Sequence, residues 1–126
     1  MTVNELIKIS KKAAEKAYAP YSNFKVGAAL LCKDGTVYTG CNIENASYGA
    51  CNCAERTAIF KAVSEGQKDF EAIAITSSTG FFTYPCGICR QVMSEFSSNI
   101  KVILCEDDKE PISITLEKLL PYSFKL

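Results

Sequence analysis

The chain has 126 residues, 48% of them hydrophobic and 22% charged, and its 14 lysines and arginines balance its 14 aspartates and glutamates. A chain of this length buries roughly two thirds of the surface that its unfolded form exposes, which predicts a single domain over residues 1–126. Lysine and arginine form no basic stripe, which argues against a nucleic-acid partner and favours a small neutral one.

The N-terminal stretch MTVNELIKIS alternates polar and apolar residues and has no continuous apolar core. We therefore expect neither a signal peptide nor a membrane span, and we expect a cytoplasmic location. In such a protein the seven cysteines are not expected to form disulfides, which leaves metal binding, catalysis or burial for each thiol. The chain contains no histidine, so a zinc site must use thiolates or carboxylates, and a general base must be a group other than imidazole.

The N-terminal third of the chain predicts a helix and a β-hairpin. A capping box at 2–5 starts a helix that we expect Pro20 to end. Alternating apolar residues predict a strand over 24–32, the dipeptide Asp34-Gly35 predicts a tight turn, and the pattern over 37–43 predicts the returning strand.

The rest of the chain alternates helices with strands. In chain order the patterns predict a helix over 53–65 with Gly66 as its cap, a strand over 72–76, a helix from Pro85 to about 96, strands over 101–105 and 112–114, and a last helix over 116–120. This alternation predicts an α/β fold in which right-handed crossovers join parallel strands and the hairpin adds an antiparallel edge.

Two cysteine-rich stretches, ACNCAERTA and YPCGICRQ, each stand at the start of a predicted helix. A thiol pair with the spacing of Cys86 and Cys89 lies on one side of a helix turn and can hold one tetrahedral zinc ion. Cys51 or Cys53 at the other helix start brings the number of available thiols to three or four. The sequence therefore predicts a zinc site rather than inert buried cysteines.

The zinc site can be closed or open. A closed structural site would use Cys51 and Cys53 together, whereas an open site would leave one position for water. Glu55 suits the open site, where a carboxylate moves protons to and from water, although a solvated acid in a first helical turn is the alternative interpretation. A regular helix would point Glu55 roughly 200° away from Cys53, so we expect Cys53 to lie at the helix cap.

Arg56 favours the open, catalytic site. It follows Cys53 by three positions and can donate a hydrogen bond to its sulfur. Three thiolates around a divalent ion leave a net negative charge that weakens the metal as a Lewis acid, and a guanidinium offsets that charge. Helix N-termini also favour thiolate over thiol.

The residues CAE and PCGIC resemble the zinc signature of the nucleoside and nucleobase deaminases, with cysteine in place of the more widespread histidine ligand. The stretches YAPYSNFKVGAALL, GCNIENASYGACNCAERTAIFKAVSEG, PCGICRQV and LLP extend the resemblance over nearly the whole chain. Together they are similar to the small homotetrameric cytidine deaminases. The resemblance implies a three-layer α/β/α sandwich with a mixed five-stranded sheet, and an assembly of four identical chains.

The resemblance also implies a role for individual residues. One zinc ion per chain is held by Cys53, Cys86 and Cys89, Glu55 carries protons as the catalytic residue, and Arg56 supports the ligands. The implied nucleoside contacts are Phe24, Asn42, Glu44, Ala54 and, in the C-terminal sequence LLPYSFKL, Phe124 of a neighbouring subunit. The alternative for Phe124 is that it folds back on its own core.

The residues around the implied pocket support a nucleoside substrate. Asn42 and Glu44 are two positions apart near a predicted strand end, so they face the same side, and an amide beside a carboxylate suits the paired hydroxyls of a ribose. Polar residues on an exposed strand end are the alternative interpretation. No lysine or glycine-rich loop stands nearby to bind phosphate, which favours a free nucleoside over a nucleotide.

The predicted function is zinc-dependent hydrolytic deamination of cytidine and deoxycytidine to uridine and deoxyuridine, a reaction of pyrimidine salvage. Glu55 would carry a proton from the attacking water to ring N3, and ammonia would then leave from C4. A blasticidin-type antibiotic deaminase would share the zinc signature, and a polynucleotide-editing deaminase should be more basic. A zinc-stabilised interaction module with Cys51 as fourth ligand is the alternative from another functional class.

Overall fold

Helices and strands follow one another in the order that the sequence predicts. The computed structural model describes residues 1–126. Its elements are α1 (Val3–Ala14), β1 (Val26–Cys32), β2 (Val37–Cys41), a short 3-10 turn (Tyr48–Ala50), α2 (Ala54–Ser64), β3 (Phe70–Ser77), α3 (Gly87–Ser94), β4 (Lys101–Leu104), β5 (Ile112–Thr115) and α4 (Leu116–Leu119). None of the helices combines the length and the apolar character needed to cross a membrane.

The five strands form one mixed sheet with the order β2-β1-β3-β4-β5. β1 pairs antiparallel with both β2 and β3, β3 and β4 are parallel, and β5 returns antiparallel to β4. The predicted mixed five-stranded sheet is confirmed. The expected parallel pairing is present only between β3 and β4, because β1 lies between β2 and β3 and pairs with each of them.

Helices cover both faces of the sheet. On one face, Leu6 and Ile7 of α1 pack against small residues of the central strands. On the other face, α2 and α3 pack through Ile59 and Met93 against the opposite side of the same strands. A strand covered on both faces is apolar throughout, which explains why β1 is buried along most of its length. The three-layer α/β/α sandwich is therefore confirmed.

The first helix and the second strand are shorter than predicted for one shared reason. The Thr2 hydroxyl caps α1 by accepting from the Glu5 N–H at 3.1 Å, but the helix ends at Ala14, well before Pro20. The chain then extends so that the Tyr18 N–H donates to the Asn42 carbonyl at 3.0 Å. Ile43 pairs with Tyr18 and Asn52 instead of continuing the ladder with β1, and β2 ends at Cys41.

Gly40 sets the distance between the sheet and the start of α2. A Cβ atom at Gly40 would overlap the Ala54 carbonyl and lie 2.6 Å from the Ala58 nitrogen. Only glycine permits this approach of two backbones. The contact places the first turn of α2 directly against β2, and this turn carries the cysteine-rich stretch.

Candidate active site

Three cysteines from two helix starts come together in space. Cys53 is the N-cap of α2 in extended conformation (φ −76°, ψ 158°), and Cys86 is the N-cap of α3 (φ −68°, ψ 169°). Cys89 lies in the first turn of α3, and its N–H donates to the Cys86 sulfur at 3.5 Å. The three sulfurs lie within 4.8 Å of one another. Cys53 is thus at the helix cap, as predicted, and α3 begins after Cys86 rather than at Pro85.

The geometry and chemistry of the three thiols fit a zinc ion. The Cys53 and Cys86 sulfurs are 3.7 Å apart. Tetrahedral bonds of about 2.3 Å would separate two sulfur ligands by about 3.8 Å. A donor set of thiolates alone, with no carboxylate or histidine in the cluster, suits zinc better than magnesium or calcium. Cys89 is buried and Cys86 is exposed, so one side of the cluster faces solvent.

The thiols of the cluster shift one another's pKa. The side-chain hydrogen bond with Cys89, with further ones from Arg56 and Cys86, lowers the pKa of Cys53 to about 5 against the opposing effect of burial. The same hydrogen bond with Cys53, together with burial, raises the pKa of Cys89. A divalent cation would displace the remaining thiol protons and hold the sulfurs as thiolates.

The predicted contact between Arg56 and Cys53 is present. The Arg56 Nη2 donates to the Cys53 sulfur at 3.3 Å. The Arg56 Nε is buried and has no hydrogen-bond partner. A guanidinium held against a sulfur in this way offsets the negative charge that a three-thiolate centre carries.

Glu55 is buried beside the cluster. Its side chain lies in the first turn of α2, and the residue is 4% exposed. Burial raises the pKa of Glu55 to about 7, and the charge of Cys53 adds to this effect. A solvated acid in the first helical turn, the alternative from sequence, is therefore wrong. A buried carboxyl group of this kind can both accept and donate a proton near neutral pH.

Asn42 and Glu44 hold the loop that precedes β1. The Asn42 amide accepts from the Val26 N–H at 2.8 Å and donates to the Phe24 carbonyl at 2.7 Å. Glu44 accepts from the N–H groups of Tyr21 and Ser22 at 2.9 and 3.1 Å, and from the Ser22 hydroxyl. The Ser22 hydroxyl and these two N–H groups lower the pKa of Glu44.

A chain of hydrogen bonds joins this segment to the metal cluster. Ile43 and Asn52 exchange main-chain hydrogen bonds of 2.9 Å. The Asn52 amide donates to the Thr57 hydroxyl at 3.1 Å, and that hydroxyl donates to the Cys53 carbonyl at 3.1 Å. Residues 42–44 are therefore fixed relative to Cys53.

An open cavity of about 430 Å³ lies between residues 42–44 and the cluster. Its walls include Tyr21, Glu44, Tyr48, Cys51, Cys53 and Arg56. Phe24 is partly exposed beside the same loop, whereas Ala54 is fully buried at the start of α2. The volume is in the range of small-molecule sites.

Cys51 does not belong to the metal cluster. Its sulfur accepts from the Asn45 N–H at 3.2 Å and donates to the Asn45 carbonyl at 3.5 Å. The group of thiols placed to bind a metal consists of Cys53, Cys86 and Cys89 alone. The structure thus favours the open three-thiolate site over the closed four-thiolate one.

The C-terminal tail lies along α3 with its aromatic rings outward. Gln91 Nε2 donates to the Phe124 carbonyl at 3.2 Å, and the Lys125 ammonium donates to the Ser94 carbonyl. Phe124 is 66% exposed and Tyr122 is fully exposed. Phe124 therefore does not fold back on its own core.

Sequence reasoning missed the residues that position the site. Arg90 and Thr57 donate to main-chain carbonyls, and Asn52 donates to the Thr57 hydroxyl; no side-chain motif reveals these contacts. Ser22 was missed because it binds Glu44 across 22 positions. Of the three cysteines outside the two cysteine-rich stretches, Cys32 is buried, and Cys41 and Cys105 are half-buried.

Comparisons with known proteins agree with this geometry. Residues 1–106 match the family model described as the cytidine and deoxycytidylate deaminase zinc-binding region. The chain is 53% identical to a cytidine deaminase of Sporosarcina psychrophila, over 98% of this chain and 92% of that one. A crystal structure of the cytidine deaminase from Burkholderia pseudomallei superposes with a TM-score of 0.93 at 51% identity, covering 98% of this chain and 100% of that one. The cytidine deaminase of Mycobacterium tuberculosis gives 0.87 at 40% identity, covering 100% and 99%.

Proposed function

Since this chain belongs to the cytidine and deoxycytidylate deaminase family, we propose that it catalyses the hydrolytic deamination of cytidine and deoxycytidine to uridine and deoxyuridine. The observation that carries the proposal is the cluster of three thiols beside the buried carboxyl group of Glu55, with Cys53 of the cluster lining the cavity. Relatives that match nearly the whole chain are named cytidine deaminases. All strands join one sheet, which supports a single catalytic domain over 1–126. The cytoplasmic location stays a prediction.

Cys53, Cys86 and Cys89 would hold one zinc ion per chain. Bound there, zinc acts as a Lewis acid that lowers the pKa of a coordinated water to about 7. Arg56 keeps the Cys53 sulfur from carrying its full negative charge, because its guanidinium donates to that sulfur.

Glu55 would carry the protons of the reaction. It would take a proton from the attacking water and deliver it to ring N3 while the hydroxide oxygen bonds to C4. It would then take the proton of the new C4 hydroxyl and pass it to the amino group, so that the C4–N bond breaks, ammonia leaves and the C4 carbonyl forms. The burial of Glu55 supports this role, because a carboxyl group shielded from bulk water transfers its proton to the substrate rather than to solvent.

The nucleoside would lie in the cavity with its ribose toward Asn42 and Glu44. The Glu44 carboxylate can accept from ribose hydroxyls, and the family resemblance assigns contacts with the nucleoside to Phe24 and Ala54. Arg56 is the only cation among the residues that line the cavity, and it is bound to Cys53. The negative charge of Glu44 would repel a phosphate group, so the free nucleoside is favoured over the nucleotide.

The working assembly would be a homotetramer. Four identical chains follow from the family resemblance, and exposed aromatic residues at the cavity and on the tail support association. Phe124, held outward by the Gln91 contact with its carbonyl, would cover the cavity of a neighbouring chain. Such a cover would shield the reacting base from bulk water.

The test is the loss of ultraviolet absorbance of cytidine and deoxycytidine on adding the purified protein, with chromatographic identification of the products and metal analysis of the same sample. We expect uridine or deoxyuridine, ammonia and one zinc per chain. A zinc protein that leaves both nucleosides intact would disprove the proposed reaction. Conversion of blasticidin without conversion of cytidine would reassign the substrate.

A further inference from the structure

Arg90 connects two parts of the chain that no other site residue joins. Its Nε donates to the Pro85 carbonyl at 2.8 Å, and its Nη1 donates to the Leu119 carbonyl at 2.8 Å. Pro85 directly precedes Cys86, and Leu119 is the last residue of α4. We infer that Arg90 is a positioning residue that holds the metal-binding turn of α3 and the start of the C-terminal tail in one arrangement.

The two hydrogen bonds need the geometry of arginine. The guanidinium is a rigid planar fork, so its Nε and Nη1 donors can bind two carbonyls at once. A lysine ammonium could reach either carbonyl but would not reproduce both directions. The carbonyls at the end of a helix lack intrahelical partners and attract a cation, which is the situation of Leu119.

At the metal cluster, the hydrogen bond from Arg90 to the Pro85 carbonyl fixes the main chain next to Cys86, whose side chain is exposed. Cys89 is buried and Cys53 is half-buried, so the surrounding residues hold their sulfurs. Cys86 is exposed, and its position depends on the main chain on either side of it. The Pro85 side chain is fully buried and its carbonyl is held by Arg90, which together fix the backbone that enters Cys86.

On the tail side, α3 offers a row of contacts. Arg90 binds the Leu119 carbonyl, Gln91 binds the Phe124 carbonyl, and the Ser94 carbonyl accepts from Lys125. Of the α3 residues that contact the tail, only Arg90 also binds the Pro85 carbonyl at the start of the metal-binding turn. Gln91 is therefore a matched control, because its substitution loosens the tail and leaves the contact with Pro85 in place.

The inference rests on the zinc site of the proposed function, but not on which base is deaminated. The test compares Arg90→Lys and Gln91→Met with the parental protein, using competition with a chromophoric chelator for zinc and the absorption spectrum of the cobalt-substituted protein. We expect zinc affinity about tenfold weaker or more in Arg90→Lys, with an altered thiolate-to-cobalt band. Gln91→Met should match the parental protein in both measurements. Parental affinity and an unchanged spectrum in Arg90→Lys would overturn the inference.

A second measurement uses the parental protein alone, so it holds even where Arg90→Lys does not fold. Coupling between two sites is reciprocal, so removal of zinc must loosen α4 if Arg90 links the two. We expect hydrogen–deuterium exchange at amides 116–120 to accelerate in the zinc-free protein, while amides of α1 keep their rates. Equal rates at 116–120 would overturn the inference and leave the proposed reaction standing. A parental protein that binds no zinc would overturn both.

Discussion

The Arg56 Nη2 lies 3.3 Å from the Cys53 sulfur, across the first turn of α2. Because the guanidinium offsets thiolate charge, we expect Arg56→Gln to lower the kcat for cytidine about tenfold or more. Steady-state kinetics with parallel zinc analysis would measure this. Lys61→Gln, a loss of charge on an exposed part of the same helix, is the control and should be neutral. Unchanged kinetics in Arg56→Gln would show that the positive charge of Arg56 is not needed for catalysis.

Serine at Cys53, Cys86 or Cys89 should abolish stoichiometric zinc binding, because each substitution leaves two thiolates of the cluster. Cys51→Ser is the matched control, since its sulfur binds the Asn45 main chain and a hydroxyl can replace it there. Metal analysis of the four purified variants is the measurement. Equal zinc loss in Cys51→Ser would favour a closed four-thiolate site.

Glu55→Gln should retain zinc and nucleoside binding and lose turnover by about a factor of 100 or more, because the amide keeps the shape of the carboxyl group but carries no proton. Stopped assays for product and calorimetric binding of cytidine would separate the two effects. The exposed Glu65→Gln, at the other end of α2, serves as the control. Near-parental turnover in Glu55→Gln would exclude it as the proton carrier.

Gly40→Ala should destabilise the protein by about 1–3 kcal/mol and weaken zinc binding, because the added methyl group overlaps the backbone of α2 and pushes Cys53 away from α3. Urea unfolding of the metal-free protein and chelator competition are the measurements. Gly49→Ala is the control, because a Cβ atom there meets no neighbouring atom. Parental stability in Gly40→Ala would show that the sheet and helix separate without cost.

Truncation after Pro121 should raise the KM for cytidine while zinc content stays at the parental level. The deleted tail carries Phe124, the proposed cover of a neighbour's cavity, and contains none of the three metal ligands. Kinetics together with light scattering would report both activity and assembly. A parental monomer with full activity, or a truncated chain with unaltered kinetics, would show that each chain completes its own site.

The sequence predicts the elements of the fold well where local signals and burial agree. The hairpin turn, the caps at Thr2 and Gly66 and the run of strands are local patterns, and the structure confirms them. The end of α1 was predicted too late because the pairing of Tyr18 with Asn42 is a long-range contact, which overrides the helical pattern of residues 15–17.

In the candidate site, too, contacts within one helical turn can be predicted from the sequence, and contacts between distant parts of the chain cannot. The spacing of Cys86 and Cys89 and the position of Arg56 after Cys53 predict contacts within one helical turn, and the structure brings these groups together. The partners of Arg90 could not be predicted, because Leu119 lies 29 positions away and both acceptors are main-chain atoms. Tertiary packing alone creates such contacts.

The position of β1 between β2 and β3 has a consequence for how the metal is acquired. Cys53 lies on the connection from β2 to β3, and Cys86 lies 33 positions later on the connection from β3 to β4. The two helix starts can meet only when β3 has paired with neighbours on both of its sides. A metal ion that needs all three thiols therefore binds the folded chain more tightly than the disordered one, so zinc stabilises the native state by mass action. Release of the ion would therefore indicate that β3 has lost its pairing with the neighbouring strands.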